Sequence, residues 1–511
     1  MINTFKVPVL AVCCSSMLLL SACKDKKDDP PTPQPKKTEP VKAVETKLKA
    51  PEKEPEPEKA PEPEKVPEKE KAPEKEKAED GKAADVPKAD GKAPDALKAN
   101  DKKTGEAPKA GDKAPNTPPT ALIVITNKNA ANKTSAEYLG EVAYSADTLL
   151  EDAASINVMS YNMPTVLGKT AKATAMVMIP KTPQPKDGWR IVVWEHGTVG
   201  LGDRCAPSAN KINASFKILA TSLLKAGYVI VAPDYEGVGT PGVHHPYMNL
   251  GSAAKSAIYA VNAIKKQYGK TYQGSWMAVG QSQGGHGALG TAEYSNNDTS
   301  YKGTIASAPV SNIVGLITAR GPARLETGKT IPEYKDRVLT GYSDLLTYAS
   351  YFVVGIKASN PSFNYQELFI GSSATIAEAA EGGPVGDNGR CLADMRSLFM
   401  TEIKQFTEKN PLAFIPDYPG IIPNFATHPM IVKYIQDNLL GTKKLNTPTL
   451  IIQGLADSSV DPLETIALKE KLERLGSIVT YSEQKDATHA TAIDKANDTL
   501  MEFVKKTMPA S

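Results

Sequence analysis

The sequence predicts an α/β fold, a mostly parallel sheet with an inserted helical cap. Three observations predict it. From residue 189 to residue 310, short apolar runs alternate with segments of helical spacing. After Val310 the alternation stops, and the chain turns mostly helical and irregular. After Asn446 it resumes. Strands alternating with helices build a parallel sheet, whose ligands sit at the carboxyl ends of the strands.

The elements follow in order. Ala121-Leu122-Ile123-Val124-Ile125 and the runs at 156–163 and 173–179 are strand candidates. The run 189–194 (Trp-Arg-Ile-Val-Val-Trp) has a buried-strand pattern, as does 227–232, which Pro233 ends. Between them, Phe216, Leu219, Leu223 and Leu224 recur at helical spacing. Ile258, Val261 and Ile264 mark one face of a second helix at 253–266. A strand is expected at 275–279, a tightly packed helix of small residues near 287–290, and a strand at 303–306. Beyond the cap, a strand is expected at 447–452, a helix at 462–475, a strand at 477–482 and a last amphipathic helix at 492–506. The folded part therefore divides into a first core segment (120–310), a cap (311–445) and a second core segment (446–511). A cap in that place would roof the site described below.

The N-terminal 119 residues read differently. A lysine near the start precedes an apolar run from Val7 to Leu20, too short to span a bilayer. Residues 1–22 are expected to be a signal peptide. Leu20-Ser21-Ala22-Cys23 resembles the bacterial lipobox, which implies lipidation of Cys23 and export to the cell envelope. An ordinary signal peptide cut near Ala22 is the alternative. Lys24 rather than Asp follows the cysteine, which the resemblance associates with the outer membrane. Residues 23–119 are rich in Lys, Glu, Pro, Ala and Asp and poor in large apolar side chains. Such a segment cannot bury enough surface to offset its ordering entropy, so a disordered tether is expected. A cell-wall-binding segment is the sharper alternative. Its signs nearly balance, and the whole 511-residue chain carries a net charge of only +2, which speaks against a nucleic-acid partner.

The chemistry centres on Gly280-Gln281-Ser282-Gln283-Gly284-Gly285, a G-x-S-x-G run. It lies between an apolar strand and a small-residue helix, the setting of a nucleophile elbow. Ser282 is thus the candidate nucleophile. A serine needs a base, and six histidines are available. In the order nucleophile, acid, histidine, His489 is placed between the last strand and the last helix, in Asp486-Ala487-Thr488-His489-Ala490. The acid is expected after the preceding strand, and Asp457 is favoured. Asp461, just before Pro462, reads as a helix cap, and Asp486 is the competitor. An oxyanion hole needs two backbone N–H groups. Gln283 supplies one, and Thr198, with Gly197, the other, from the loop Glu195-His196-Gly197-Thr198. Asp234, Tyr235 and Glu236 read as turn-shaping residues. His244 and His245 lack a third ligand at metal-site spacing, so neither metal nor cofactor is expected.

Of five cysteines, Cys13 and Cys14 lie in the signal peptide and Cys23 takes the lipid. Cys205 and Cys391 remain, an even pair in an exported domain, and a disulfide between them is expected, with two buried thiols as the alternative.

Four blocks share a family look: Trp194-Glu195-His196-Gly197-Thr198, Asp203-Arg204-Cys205-Ala206-Pro207-Ser208, Ala232-Pro233-Asp234-Tyr235-Glu236-Gly237-Val238-Gly239 with His245-Pro246-Tyr247, and Gly280 through His286. Together they resemble the secretory lipase family of α/β hydrolases over roughly residues 135–507. The resemblance implies an α/β-hydrolase fold, a helical cap, a Ser-Asp-His triad and hydrolysis of lipid or other carboxylic esters. Two rivals share these features in part. One is a serine peptidase of the same fold; the other is a surface binding lipoprotein that uses the fold only as a scaffold.

Overall fold

The computed structural model describes residues 136–510, apart from residue 385 and the side chain of Arg324. The expected signal peptide, Cys23, the tether and the strand at 121–125 lie outside the described residues.

Nine strands form one sheet. They are β1 (Glu137–Ala143), β2 (Ala153–Pro164), β3 (Thr170–Pro180), β4 (Ile191–Glu195), β5 (Val229–Pro233), β6 (Trp276–Gln281), β7 (Tyr301–Ser307), β8 (Thr449–Gly454) and β9 (Val479–Gln484). The spatial order is β1-β2-β3-β5-β4-β6-β7-β8-β9. Pairings from β5 through β9 are parallel, and β1, β2 and β3 form an antiparallel extension. The chain is thus a mostly parallel α/β-hydrolase fold.

The apolar runs explain the central strands. β4 and β5 are buried along their whole length. Side chains alternate between the faces of a strand. Ile191 and Val193 join Val229 and Val231 on one face, under α2 (Leu250–Tyr268) and α3 (Gln283–Tyr294). Val192, Trp194 and Ile230 face the other way, under α1 (Ala214–Lys225) and the C-terminal helix (Asn497–Thr507). A strand covered on both faces needs a continuous apolar run, and these have one.

β1 has no counterpart in the sequence reading. It is an edge strand with Leu139 and Val142 exposed and a register shift near Gly140, so it carries no apolar alternation.

Residues between β7 and β8 form helices. A short helical turn at Ile313–Gly315 is α4, and a π-helical turn at Leu316–Arg320 leads into α5 (Gly321–Gly328). Then come α6 (Lys335–Ser359), α7 (Ser372–Glu381), α8 (Leu392–Lys409) and α9 (Pro429–Asp437). After β8 follow α10 (Pro462–Arg474), α11 (Ala492–Lys495) and α12, the C-terminal helix. The inserted helices have a core of their own. Leu346, Phe352, Phe399 and Phe425 pack there, and Tyr247, Met248 and Val310 of the sheet domain join them.

Cys205 and Cys391 are joined in a disulfide 186 residues apart in sequence. In the chain-entropy view, a loop of that length constrains the unfolded chain by about 5 kcal/mol. The link ties the segment after β4 to the start of α8. Beside it, Gly200 makes a β-bridge to Cys391, and the Leu392 N–H donates to the Val199 carbonyl at 2.9 Å.

The chain leaves β4 for β5 on one side and later fills β6 on the other. The carboxyl ends of β4 and β6 therefore meet at a switch point of the sheet, where crevices form in such folds.

Candidate active site

Ser282 sits at that switch point, between the last residue of β6 and the first of α3. Its φ is 59° and its ψ −118°, a conformation that non-glycine residues rarely adopt. Close packing holds it there. A Cβ at Gly280 would lie 2.0 Å from the Gly284 carbonyl oxygen, and one at Gly284 would lie 1.8 Å from the Glu195 carbonyl oxygen. No side chain fits at either position, so strand, turn and helix approach backbone to backbone. The Ser282 N–H donates to the Ser307 carbonyl at 2.9 Å, and its own carbonyl accepts from the His286 N–H at 3.0 Å.

His489 and Asp457 come from the loops after β9 and β8. The two meet through His489 Nδ1 and Asp457 Oδ2, 2.8 Å apart. The Asp457 side chain is fully buried, and that of His489 is 21% exposed. Oδ1 of Asp457 accepts from the Ser459 and Val460 N–H groups, both at 2.8 Å. Its Oδ2 also accepts from Gln453 Nε2 at 3.2 Å, and Thr465 Oγ1 in turn donates to Gln453 Oε1 at 2.7 Å. Donation from Nδ1 leaves the lone pair on Nε2, the nitrogen that can accept a proton. Asp461 pairs with Arg320 at 2.8 Å. It caps α10 by accepting the Leu463 N–H, and Asp486 is exposed at φ 58°.

Two contacts tie these loops to the elbow. Gln281 Nε2 donates to the His489 carbonyl at 2.9 Å. Gly197, after β4, lies so close to the elbow that a Cβ on it would sit 3.6 Å from Ser282 Cβ. Thr198 Oγ1 and Tyr247 Oη are 2.8 Å apart. Gln283 follows Ser282 as the first residue of α3, and its side chain is buried. The structure thus brings Ser282, Gln283, Gly197, Thr198, His489 and Asp457 to one end of the sheet.

The segment after β5 supports this site through contacts that its sequence block did not reveal. The Tyr235 hydroxyl donates to the His196 carbonyl at 2.9 Å, from a backbone with φ 73°. Tyr235 also lies between the rings of His196 and His245. His245 Nδ1 is 2.7 Å from the Glu236 carbonyl, so it must carry the proton. His245 Nε2 then accepts from Gln283 Nε2 at 3.0 Å. This chain of contacts fixes the side chain of Gln283. Asp234 and Glu236 hold both backbone and hydroxyl groups. Asp234 accepts from Thr174 Oγ1 and the Ser208 N–H, and Glu236 from the Val166 N–H and the Ser252 hydroxyl.

Two cavities open beside the site. One, of about 420 Å³, lies in the cap and is lined by Leu316, Leu325, Val338, Leu345 and Tyr348, with Ser459 from the Asp457 loop. The other, of about 520 Å³, is lined by Thr198, Gln281 and Ala490, with Trp194, Phe216 and Arg396. Arg396 and Asp344 form an ion pair at 2.5 Å, and Asp344 lines the cap cavity.

Solved structures with this architecture include the rice cell wall degrading esterase LipA from Xanthomonas oryzae. It is 19% identical, with a TM-score of 0.55, over 74% of this chain and 99% of that one. Candida antarctica lipase A in its closed state is 14% identical, with a TM-score of 0.54, over 73% of this chain and 82% of the lipase. No protein-family model and no curated protein sequence matches the chain. At these identities the likeness establishes the α/β-hydrolase architecture.

Burial pushes the site's supporting groups in opposite directions. His196, His245 and His286 are each lowered to about 4. Glu195 is raised to about 8, Glu236 to about 7 and Asp234 to about 6. Below about pH 6.5 the unfolded chain takes up histidine protons that the fold refuses, so stability falls as pH drops towards 4. Above about pH 4.5 the fold retains carboxyl protons that the unfolded chain releases, so stability falls as pH rises towards 8. The two trends cross, and these six groups place the thermal-stability maximum between about pH 5 and 6. Melting temperature against pH checks this; a steady rise to pH 8 contradicts it.

Proposed function

We propose that this protein is a serine hydrolase that cleaves carboxylic esters of the lipase and esterase class through an acyl-enzyme intermediate. One observation carries the reading. The His489–Asp457 pair, 2.8 Å apart, is tied through Gln281 to a serine held at φ 59° on a strand-to-helix turn. The two neighbouring folds described above are an esterase and a lipase, which supports the same class of chemistry.

In this reading Ser282 Oγ attacks the ester carbonyl while His489 Nε2 takes its proton. Asp457 holds the imidazole in the Nδ1–H tautomer and stabilises the imidazolium that forms. The N–H groups of Gln283 and Thr198, with Gly197 leaving room for the substrate, stabilise the tetrahedral oxyanion. His489 returns the proton to the departing alcohol, and water repeats the sequence on the acyl-enzyme. The apolar cavity of the cap receives an acyl chain.

Ser282→Ala is expected to lower kcat on p-nitrophenyl esters by about 10⁶-fold. Asp457→Asn is expected to cost about 10⁴-fold. A loss below tenfold in either variant contradicts the assignment. A matched amide series separates the ester reading from a peptidase.

We further propose that Cys23 carries a lipid and that residues 23–119 tether the enzyme to the cell envelope, at the outer membrane. The lipobox-like Leu20-Ser21-Ala22-Cys23 and the following Lys24 support this. Cys23→Ser is expected to move the protein from the membrane to the soluble fraction; an unchanged membrane fraction rules the anchor out.

A further inference from the structure

We infer that the cavity beside Ser282 binds a carboxylate, so that the preferred substrates are esters carrying one. This rests on the proposed ester chemistry and names its substrate class.

Three features of the 520 Å³ cavity point the same way. First, it belongs to the reacting centre. Its lining includes the residue before Ser282, the residue after His489, and Gly197 and Thr198 of the oxyanion loop: Gln281, Ala490, Gly197 and Thr198. A group lodged there is part of the same molecule as the ester.

Second, its charged lining is cationic. Among the described residues Lys211 and Arg396 line it and no Asp or Glu does, while the ion pair of Arg396 with Asp344 lies on the cap-cavity side. The nearby acid Asp394 pairs with Arg204, and Asp147 pairs with Lys217 at 3.7 Å while also feeling the charge of Lys211. The α8 helix also begins at this wall. Cys391, Leu392 and Ala393 line the cavity, and the Cys391 N-cap makes no side-chain cap. The positive end of an 18-residue helix thus adds to the two cations.

Third, Arg396 is held for recognition. Its Nε donates to Asp344 Oδ1 from the cap-cavity side at 2.5 Å. Among the described residues no hydrogen bond engages its Nη groups. The side chain is 33% exposed. A guanidinium anchored through Nε keeps two parallel N–H vectors for a carboxylate, with little rotamer freedom left to lose. The floor beneath is apolar, formed by Trp194, Phe216 and Ile212, which suits the carbon skeleton between ester and carboxylate. The cap cavity differs. Among the described residues its lining carries one cation, Arg337, and one carboxylate, Asp344. The two cavities thus divide an apolar chain from an acid.

The test compares three esters on the full-length protein at pH 7. Phenyl hexanoate is neutral; monophenyl adipate carries the carboxylate on the acyl half, and 4-carboxyphenyl hexanoate on the alcohol half. One of the two acids is expected to exceed phenyl hexanoate in kcat/KM by about tenfold, through KM. That advantage should shrink in 0.5 M salt, as screening requires. Arg396→Gln is expected to lower the acid-to-neutral ratio about tenfold, and Arg396→Lys to retain part of it. Lys211→Gln, at an exposed position that carries no folding risk, is expected to lower the ratio two- to fivefold. Neutral ester preferred by the wild type, or acid and neutral esters losing the same factor in the variants, overturns the inference while leaving the ester reading intact. No turnover of any of the three overturns the ester reading and this inference with it.

Discussion

The backbone of Ser282 is the constraint on which the site depends. A residue at φ 59° is unfavourable by an amount comparable to a good hydrogen bond, and the surroundings must compel it. Here they do so through close backbone packing. Gly284 rests against the carbonyl of Glu195, and Gly280 against the carbonyl of Gly284, leaving no room for a side chain at either. The same packing sets the β4 loop beside the elbow. Ser282, Gln283 and the Gly197–Thr198 loop are therefore positioned by one contact between three backbone segments. Glu195, buried and raised to about 8, lies beneath with Thr291 donating to its Oε1 at 2.7 Å, a neutral acid rather than an unpaired charge.

A second layer then removes the remaining freedom. Tyr235 holds the carbonyl of His196, and His245 holds the amide of Gln283. Gln281 holds the carbonyl of His489, and Gln453 with Thr465 steadies Asp457. Each residue of the proposed catalytic set, or the loop that carries it, is thus held by a hydrogen-bonded neighbour. Such preorganisation is what makes electrostatic stabilisation effective, because no dipole must turn when charge develops. The disulfide extends this to the cap by fastening the segment after the oxyanion loop to the start of α8.

Much of the fold was legible because its central strands are covered on both faces. Residues 191–195 and 229–233 must be apolar throughout, and such runs stand out. The β1 edge strand was not legible, since exposed strands such as Glu137–Ala143 carry no apolar alternation. Ser282, Asp457 and His489 were singled out by their order along the chain and by the strand each one follows, and the folded chain brings Asp457 and His489 into contact. Tyr235, His245, Gln281 and Gln453 were not legible. Their function lies in contacts between residues up to 208 positions apart, and the residue types alone fit many roles. Asp234 and Glu236 read as turn-shaping residues, and in the structure their oxygens face backbone and hydroxyl donors of the same sheet end. The partition of charge between the two cavities was the least visible feature, since Lys211 and Arg396 belong to different segments and meet only in the folded chain.

The central claim is that Ser282 is the reactive nucleophile of an assembled triad. Treatment of the full-length protein with a fluorophosphonate, followed by peptide mass spectrometry, tests it most directly. The account predicts one phosphonate, on the peptide bearing Ser282, formed rapidly in the native protein and at least a thousandfold more slowly in His489→Ala. Labelling on another serine, or labelling of Ser282 at the same rate without His489, would contradict it.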